Sequence, residues 1–198
     1  MLDLPDGYYD IPPGTLVNVV TNFEMRERPP VRADPQHVRA TLRRVERPEN
    51  AWYRALYHKV GDEYLWFSRL ALDDSGLRAV LDDAKVEVYA LAFEGSDEGL
   101  LELDFRVDRE CELTFFALAP KLIGKGTGRW LMNRALEIAW SHPIERFWVH
   151  TCTLDHPDAP AFYLRSGFVP YKRQIEISED PRLTGLVPRS AAAHVPML

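Results

Sequence analysis

Residues 119–140 read APKLIGKGTGRWLMNRALEIAW and hold three of the chain's eleven glycines, Gly124, Gly126 and Gly128, in strict alternation. Glycine frees the backbone at an entropic cost that a plain turn does not need, so the spacing points to a ligand approaching the chain closely. Three phosphate-binding loops compete for the pattern. G-x-x-x-x-G-K-[ST] fails, because Lys125 precedes Gly126 and position 119 is alanine. The dinucleotide fingerprint G-x-G-x-x-G fails too, since its third place falls on Arg129 or on Leu131. A G-x-G pair running straight into a helix survives. Successive N–H groups and the helix dipole then face an anion, with Lys121, Lys125 and Arg129 adding positive charge. The plain alternative is a tight strand-to-helix turn that binds nothing. Further along lies the polar run His150-Thr151-Cys152-Thr153. Cys152 has no activating basic neighbour in sequence, which makes it an inert buried thiol.

The elements that must hold these groups follow from periodicity. TLVNVV (15–20) reads as a strand, and DPQHVRATLRRVE (34–46) as an amphipathic helix opened by Asp34 and Pro35, with Val38, Leu42 and Val45 on one face. The aromatic stretch 51–72 is helix then strand, or loops around a pocket, and 73–83 is a short capped helix. From residue 85 the period changes to two. Segments 86–93, 100–107 and 111–119 form an antiparallel meander. After the glycine loop, Leu131, Met132, Ala135, Leu136 and Ala139 recur at helical spacing. A strand at 146–152, a short helix at 158–166 and a strand at 168–177 follow, and the tail 184–198 reads as loop with one short edge strand. The glycine loop thus joins strand to helix where the topology changes hand, a place where open α/β sheets bind ligands.

Composition narrows the class. The chain has 198 residues, 46% of them hydrophobic, enough for one domain with a buried core. A net charge of −6 disfavours nucleic acid and anionic membranes as partners, and the basic run 39–47 reads as a solvated helix face. Two cysteines make neither a disulfide framework nor a zinc set. The acidic, proline-broken N-terminus lacks the features of a signal peptide, and no apolar run approaches the ~20 residues that span a bilayer. The expectation is a cytoplasmic protein.

A second motif gives the loop a context. DHPDAPAFYLRSGF (155–168) sets Tyr163 four residues before Gly167-Phe168 on a short helix. Together with LAPKLIGKGTGRWLM, it resembles the GNAT superfamily of acetyl-CoA-dependent N-acetyltransferases, whose loop reads (Q/R)-x-x-G-x-(G/A) and whose second motif reads N-x-x-A-x-x-x-Y-x-x-x-G-F. The resemblance covers residues 86–170. Gly126 and Gly128 take the two small places of the loop. Ile123 stands where the family has Arg or Gln, which shifts the work to the backbone amides of residues 123–128. Ala159, Tyr163, Gly167 and Phe168 match the second motif, and His156 replaces its Asn, keeping a turn-closing hydrogen bond.

The resemblance implies a fold and a chemistry. The fold is α/β (α+β), a mixed and mostly antiparallel sheet flanked by helices and splayed between the fourth and fifth strands, 111–118 and 147–153. Residues 1–198 form one domain, in which 1–85 supply an N-terminal strand and acceptor-side helices, 86–178 the acyl-CoA-binding core, and 179–198 a tail. The implied reaction is acetyl transfer from acetyl-CoA, a co-substrate used without metal, to a primary amine by direct attack. A small-molecule amine is the expected acceptor, and the protein a monomer or homodimer. A protein-lysine or N-terminal acceptor, or a non-catalytic acyl-CoA sensor, are the alternatives. Phe116, Ala117, Leu118, Ile123, Gly124, Lys125, Gly126, Thr127, Gly128 and Arg129 would bind the donor, with a backbone N–H near Leu118 facing the thioester oxygen. Tyr163 is the implied acid and Glu112 the implied base, with Glu102 and Asp104 as substitutes. Strand alternation sets Glu110, Glu112, Thr114 and Phe116 on one face unless a bulge intervenes. A lone strand histidine such as His150 reads as structural.

Overall fold

The continuous apolar run Val86–Phe93 is buried along nearly its whole length, as a strand covered on both faces requires. It lies inside a seven-stranded sheet. The structure, a computed structural model, describes residues 5–30 and 32–197. The strands are β1 (Thr15–Met25), β2 (Thr41–Arg44), β3 (Val86–Phe93), β4 (Ser96–Asp104), β5 (Glu110–Leu118), β6 (Arg146–Cys152) and β7 (Val169–Glu179), in the order β2-β3-β4-β5-β6-β1-β7. All neighbours are antiparallel except β5 and β6. The fold is therefore the mixed, mostly antiparallel α/β sheet that the sequence implies.

Helices cover both faces. α1 (Asn50–Gly61) buries Tyr53, Leu56, Tyr57 and Val60, spaced at three and four residues, and packs with α2 (Asp74–Leu81) on Val88, Ala90, Leu100, Phe115 and Ala117. Asp73 caps α2 by accepting from the Gly76 amide at 2.6 Å. On the other face α3 (Thr127–Ala139) sets Leu131, Met132, Ala135 and Ala139 against Leu101, Leu103, Cys111, Leu113 and Phe147, and α4 (Ala159–Arg165) adds Tyr163.

Two expectations are corrected. Residues 34–46 form no helix. Asp34 accepts from Asn133 and Arg134 of α3, and residues 41–44 join the sheet edge, where Arg43 pairs with Asp97 and Arg44 with Glu87. Those long-range partners outweigh a helical periodicity that is only a weak prior. The second correction concerns the tail, which contains no strand among its described residues. Its turns close over Arg182, which is 3% exposed, bonds Asp180 and donates to the carbonyls of Ala191, Ala192 and Val195. The aromatic stretch resolves as α1, a 3-10 turn over Asp62–Tyr64 and a loop, and β4 begins four residues before the sequence suggests. The N-terminal and tail expectations also bear on residues 1–4 and 198, which lie outside the described residues. No helix among the described residues is long and apolar enough to cross a membrane.

Candidate functional site

β5 and β6 pair at only three positions, Glu110 with Arg146, Cys111 with Phe147 and Glu112 with Trp148. Beyond Glu112 they part, leaving one edge of β5 open to a ligand. Ala119 donates to Glu98 of the β4 side at 2.7 Å, so by alternation the backbone groups of Leu118 and Phe116 turn into the gap.

The glycine loop stands at the top of this gap. A 3-10 turn over Pro120–Leu122 ends with the Ile123 amide donating to Pro120. That amide is therefore engaged, and the cradle narrows to the amides that follow it. Gly124 and Gly126 take left-handed conformations, φ 77° and 78°, which aim successive N–H groups the same way. Gly126 is also the N-cap of α3, which has no side-chain cap. Its first amides stay available to an anion.

The loop is braced from a distance. A Cβ on Gly126 would meet Pro35 at 3.1 Å, and the His37 ring nitrogen lies 2.9 Å from the Lys125 carbonyl. Asn133 of α3 ties down the same segment by donating to the Arg32 carbonyl at 2.7 Å. Residues 32–37 thus clamp the glycine loop rather than start a helix.

Gap and loop together form a cleft of about 390 Å³. Its walls include Phe116, Ala117, Leu118, Ile123, Gly124, Gly126, Gly128, Arg129 and Tyr163 of the expected set. Lys125 and Thr127 do not line it, and Thr127 is buried at the start of α3. Arg129 brings a buried Nε with no partner among the described residues. Arg32 and Arg165 also reach the cleft, Arg32 donating to the Arg165 carbonyl at 3.0 Å. Sequence reasoning missed both. Arg165 lies inside the second motif and was legible there, whereas Arg32 comes from a loop that only the fold brings near.

At the other end of the cleft stand Tyr64, Trp66, Thr114, His150, Thr151, Asp155 and His156. Asp155 organises this end. It accepts from Trp66 Nε1 at 2.9 Å, Thr151 Oγ1 at 2.7 Å and the Cys152 amide at 2.8 Å. His156 accepts from the Asp158 amide at 3.2 Å, closing the turn before α4 as its place in the motif suggests.

Burial pushes the Tyr163 phenol far above its usual range, with the Asp155 charge adding to the effect. The group keeps its proton at neutral pH. Burial likewise pushes the Cys152 thiol up to about 11, which keeps it protonated and poorly nucleophilic.

The strand carboxylates separate into distinct roles. A bulge at Thr114, where Glu102 opposes Phe115 but Leu103 opposes Leu113, reverses the facing of β5. Cys111 and Leu113 face α3, whereas Phe115 and Ala117 face α1. Glu112 therefore does not share a face with Phe116, contrary to simple alternation. Thr114 Oγ1, at the bulge, is buried at the cleft wall and without a partner among the described residues. Glu102 is fully buried, accepting from Tyr53 at 2.5 Å and Arg69 at 2.6 Å, away from the cleft. Asp104 is held by Arg106. Glu112 is off the cleft wall, in a second hollow with Asp104, Arg106, Val107 and Trp148.

The chain matches the model of the acetyltransferase (GNAT) family over residues 49–168. A search of curated protein sequences gives no match. Among solved structures it resembles a GCN5-related N-acetyltransferase from Sphaerobacter thermophilus (TM-score 0.61, 14% identity, 82% of this chain and 52% of that one). Another GCN5-related N-acetyltransferase, from Kribbella flavida, is similar at TM-score 0.53 and 16% identity, covering 87% of this chain and 63% of the other. An aminoglycoside acetyltransferase from an uncultured soil metagenomic sample gives TM-score 0.53 at 14% identity, with 64% of this chain and 86% of that one covered. At these identities the likeness is one of fold. This chain spans about half the length of the Sphaerobacter protein and under two thirds of the Kribbella one.

Proposed function

This chain belongs to the acetyltransferase (GNAT) family, and we propose that it moves an acetyl group from acetyl-CoA to a primary amine by direct attack. One observation carries the reading: an anion cradle opens straight into the gap between β5 and β6, so one extended ligand fills both. The pyrophosphate of the donor suits the amides after Ile123, with Arg129, Arg165 and Arg32 around it. The pantetheine arm suits the open edge of β5, where the Phe116 and Leu118 backbone groups take the place of a missing strand. Donors near the thioester oxygen stabilise the charge that develops when nitrogen attacks.

The reaction balances as follows. An ammonium acceptor first loses a proton, and the free amine nitrogen then bonds to the thioester carbon. The carbon–sulfur bond breaks, a second N–H proton is lost, and sulfur leaves as the thiol. Tyr163 serves the last step: kept protonated by burial, it hydrogen-bonds the departing sulfur, and the second N–H proton ends on that sulfur to give the thiol.

The acceptor proposed is a small amine. Aminoglycosides belong in the test panel because the metagenomic relative is an aminoglycoside acetyltransferase. The test is calorimetric binding of acetyl-CoA followed by thiol release across amines that include aminoglycosides and lysine peptides. Micromolar binding with amine-dependent thiol release is the expected result. Binding without release for any amine would leave a CoA-binding module, and no binding would overturn the reading altogether.

A further inference from the structure

Glu112 and Trp148 form the last pair before β5 and β6 separate, and His150 lies two residues beyond Trp148 on the same face. His150 therefore stands at the mouth of the gap. Its side chain is 48% exposed and lines the cleft, whereas Glu112 is 23% exposed and lines the hollow behind. The imidazole Nδ1 lies 3.6 Å from Glu112 Oε1, longer than a hydrogen bond but close enough for an ion pair when the ring is charged. Nε2 is the ring nitrogen that Glu112 does not face. A carboxylate beside Nδ1 favours the proton there and leaves Nε2 as the basic nitrogen.

We infer that His150 takes the proton of the acceptor ammonium through Nε2, with Glu112 as the positioning residue behind Nδ1. This rests on the acetyl-transfer reading above. The implied base of the sequence, Glu112, acts through a residue that sequence reasoning read as structural. The transfer is R–NH3+ plus neutral imidazole giving R–NH2 plus imidazolium, and the imidazolium passes its proton to solvent through the exposed side of the ring.

Three carboxylates act on the ring in one direction. Glu112 from β5 raises its pKa above the usual value against the opposing effect of burial, and Asp155 after β6 and Glu176 on β7 add to it. β1 places uncharged Asn22 directly opposite, with Lys172 of β7 one strand further. A base must be neutral to accept a proton, so activity rises with pH through this pKa. Removing the Glu112 charge lowers the pKa and moves that limb toward acid.

The experiment is the pH dependence of kcat/KM for wild type, His150→Gln and Glu112→Gln, with acetyl-CoA affinity measured alongside. The wild type should show an acid limb. His150→Gln should lose roughly 10²- to 10⁴-fold in kcat/KM together with that limb, at unchanged acetyl-CoA affinity. Glu112→Gln should displace that limb to lower pH. A His150→Gln enzyme within threefold of wild type with its acid limb intact overturns the base. A Glu112→Gln limb that does not move overturns the positioning role. Wild type that binds acetyl-CoA yet releases no thiol with any amine overturns the transfer reading, and the base with it.

Discussion

Replacing Gly128 by valine should separate folding from donor binding. Gly128 is the second residue of α3 and, unlike Gly124 and Gly126, has no positive φ. A Cβ built there would lie 3.6 Å from Phe162 Cε2 and 3.9 Å from Leu118 Cδ1, ordinary contact distances. Alanine fits this space, and the resemblance allows Gly or Ala at the position. Valine adds two γ-carbons with one strongly preferred rotamer in a helix, so it cannot turn both away from the cleft. In a helix valine is no worse than glycine, so stability should change by less than about 1 kcal/mol. If the γ-carbons cost the ligand one amide–phosphate hydrogen bond of about 1.5–3 kcal/mol, affinity falls roughly ten- to a hundredfold. Calorimetric titration with CoA and thermal melts on wild type, Gly128→Ala and Gly128→Val measure both quantities. Gly126→Ala is the contrasting control. It places a methyl 3.1 Å from Pro35 in a left-handed conformation and should lose about 1–2 kcal/mol or more of stability. A Gly128→Val protein that melts normally and binds CoA as tightly as wild type would refute the amide cradle.

Other substitutions test the rest of the site and its support. Tyr163→Phe should reduce kcat while leaving acetyl-CoA affinity nearly intact, and unchanged kcat in steady-state assays would remove the phenol from the mechanism. Thr114→Val removes a buried hydroxyl without a partner, so melting should be unchanged or raised while kcat falls if that hydroxyl serves the bound thioester. Cys152→Ala should retain kcat/KM within about twofold, because a thiol with pKa near 11 is not an acyl carrier at neutral pH; an acylated Cys152 in intact-protein mass spectra would contradict this. Arg182→Met leaves Asp180 buried without its partner, at about 3–5 kcal/mol and roughly 6–20 °C in Tm. Asp180 has its pKa lowered in the folded state, so the wild-type pair contributes above about pH 4 and its contribution fades as pH falls through the folded pKa. The Tm gap should narrow in the same range.

The parts of this fold legible in sequence are those whose signals are local. The strands Val86–Phe93 and Arg146–Cys152 begin and end where their apolar patterns do, and the alternating glycines foretell left-handed backbone at positions 124 and 126. Residues 34–46 misled because their spacing is helical while their partners, Asp97, Glu87, Asn133 and Arg134, come from remote segments. The Thr114 bulge escaped because one extra residue changes facing without changing composition. Glu112 stands out in sequence as a strand carboxylate, whereas its approach to His150 does not. Only the short parallel register of β5 with β6 brings the two together.

The place of β1 in the sheet has a consequence for how the protein is made. Val20 and Met25 of this strand pair with Cys152 and Phe147, and Thr15 pairs with Glu179. On a ribosome adding about 5–20 residues per second, the first strand waits roughly 6–25 s for its neighbours. Meanwhile β2 to β5 can assemble from nearby segments, and β1 leaves Phe23 and Met25 without cover. A chain interrupted before residue 146 carries an unpaired apolar strand at its start. Synthesis of residues 146–179, rather than formation of the central meander, then decides whether the nascent chain escapes aggregation.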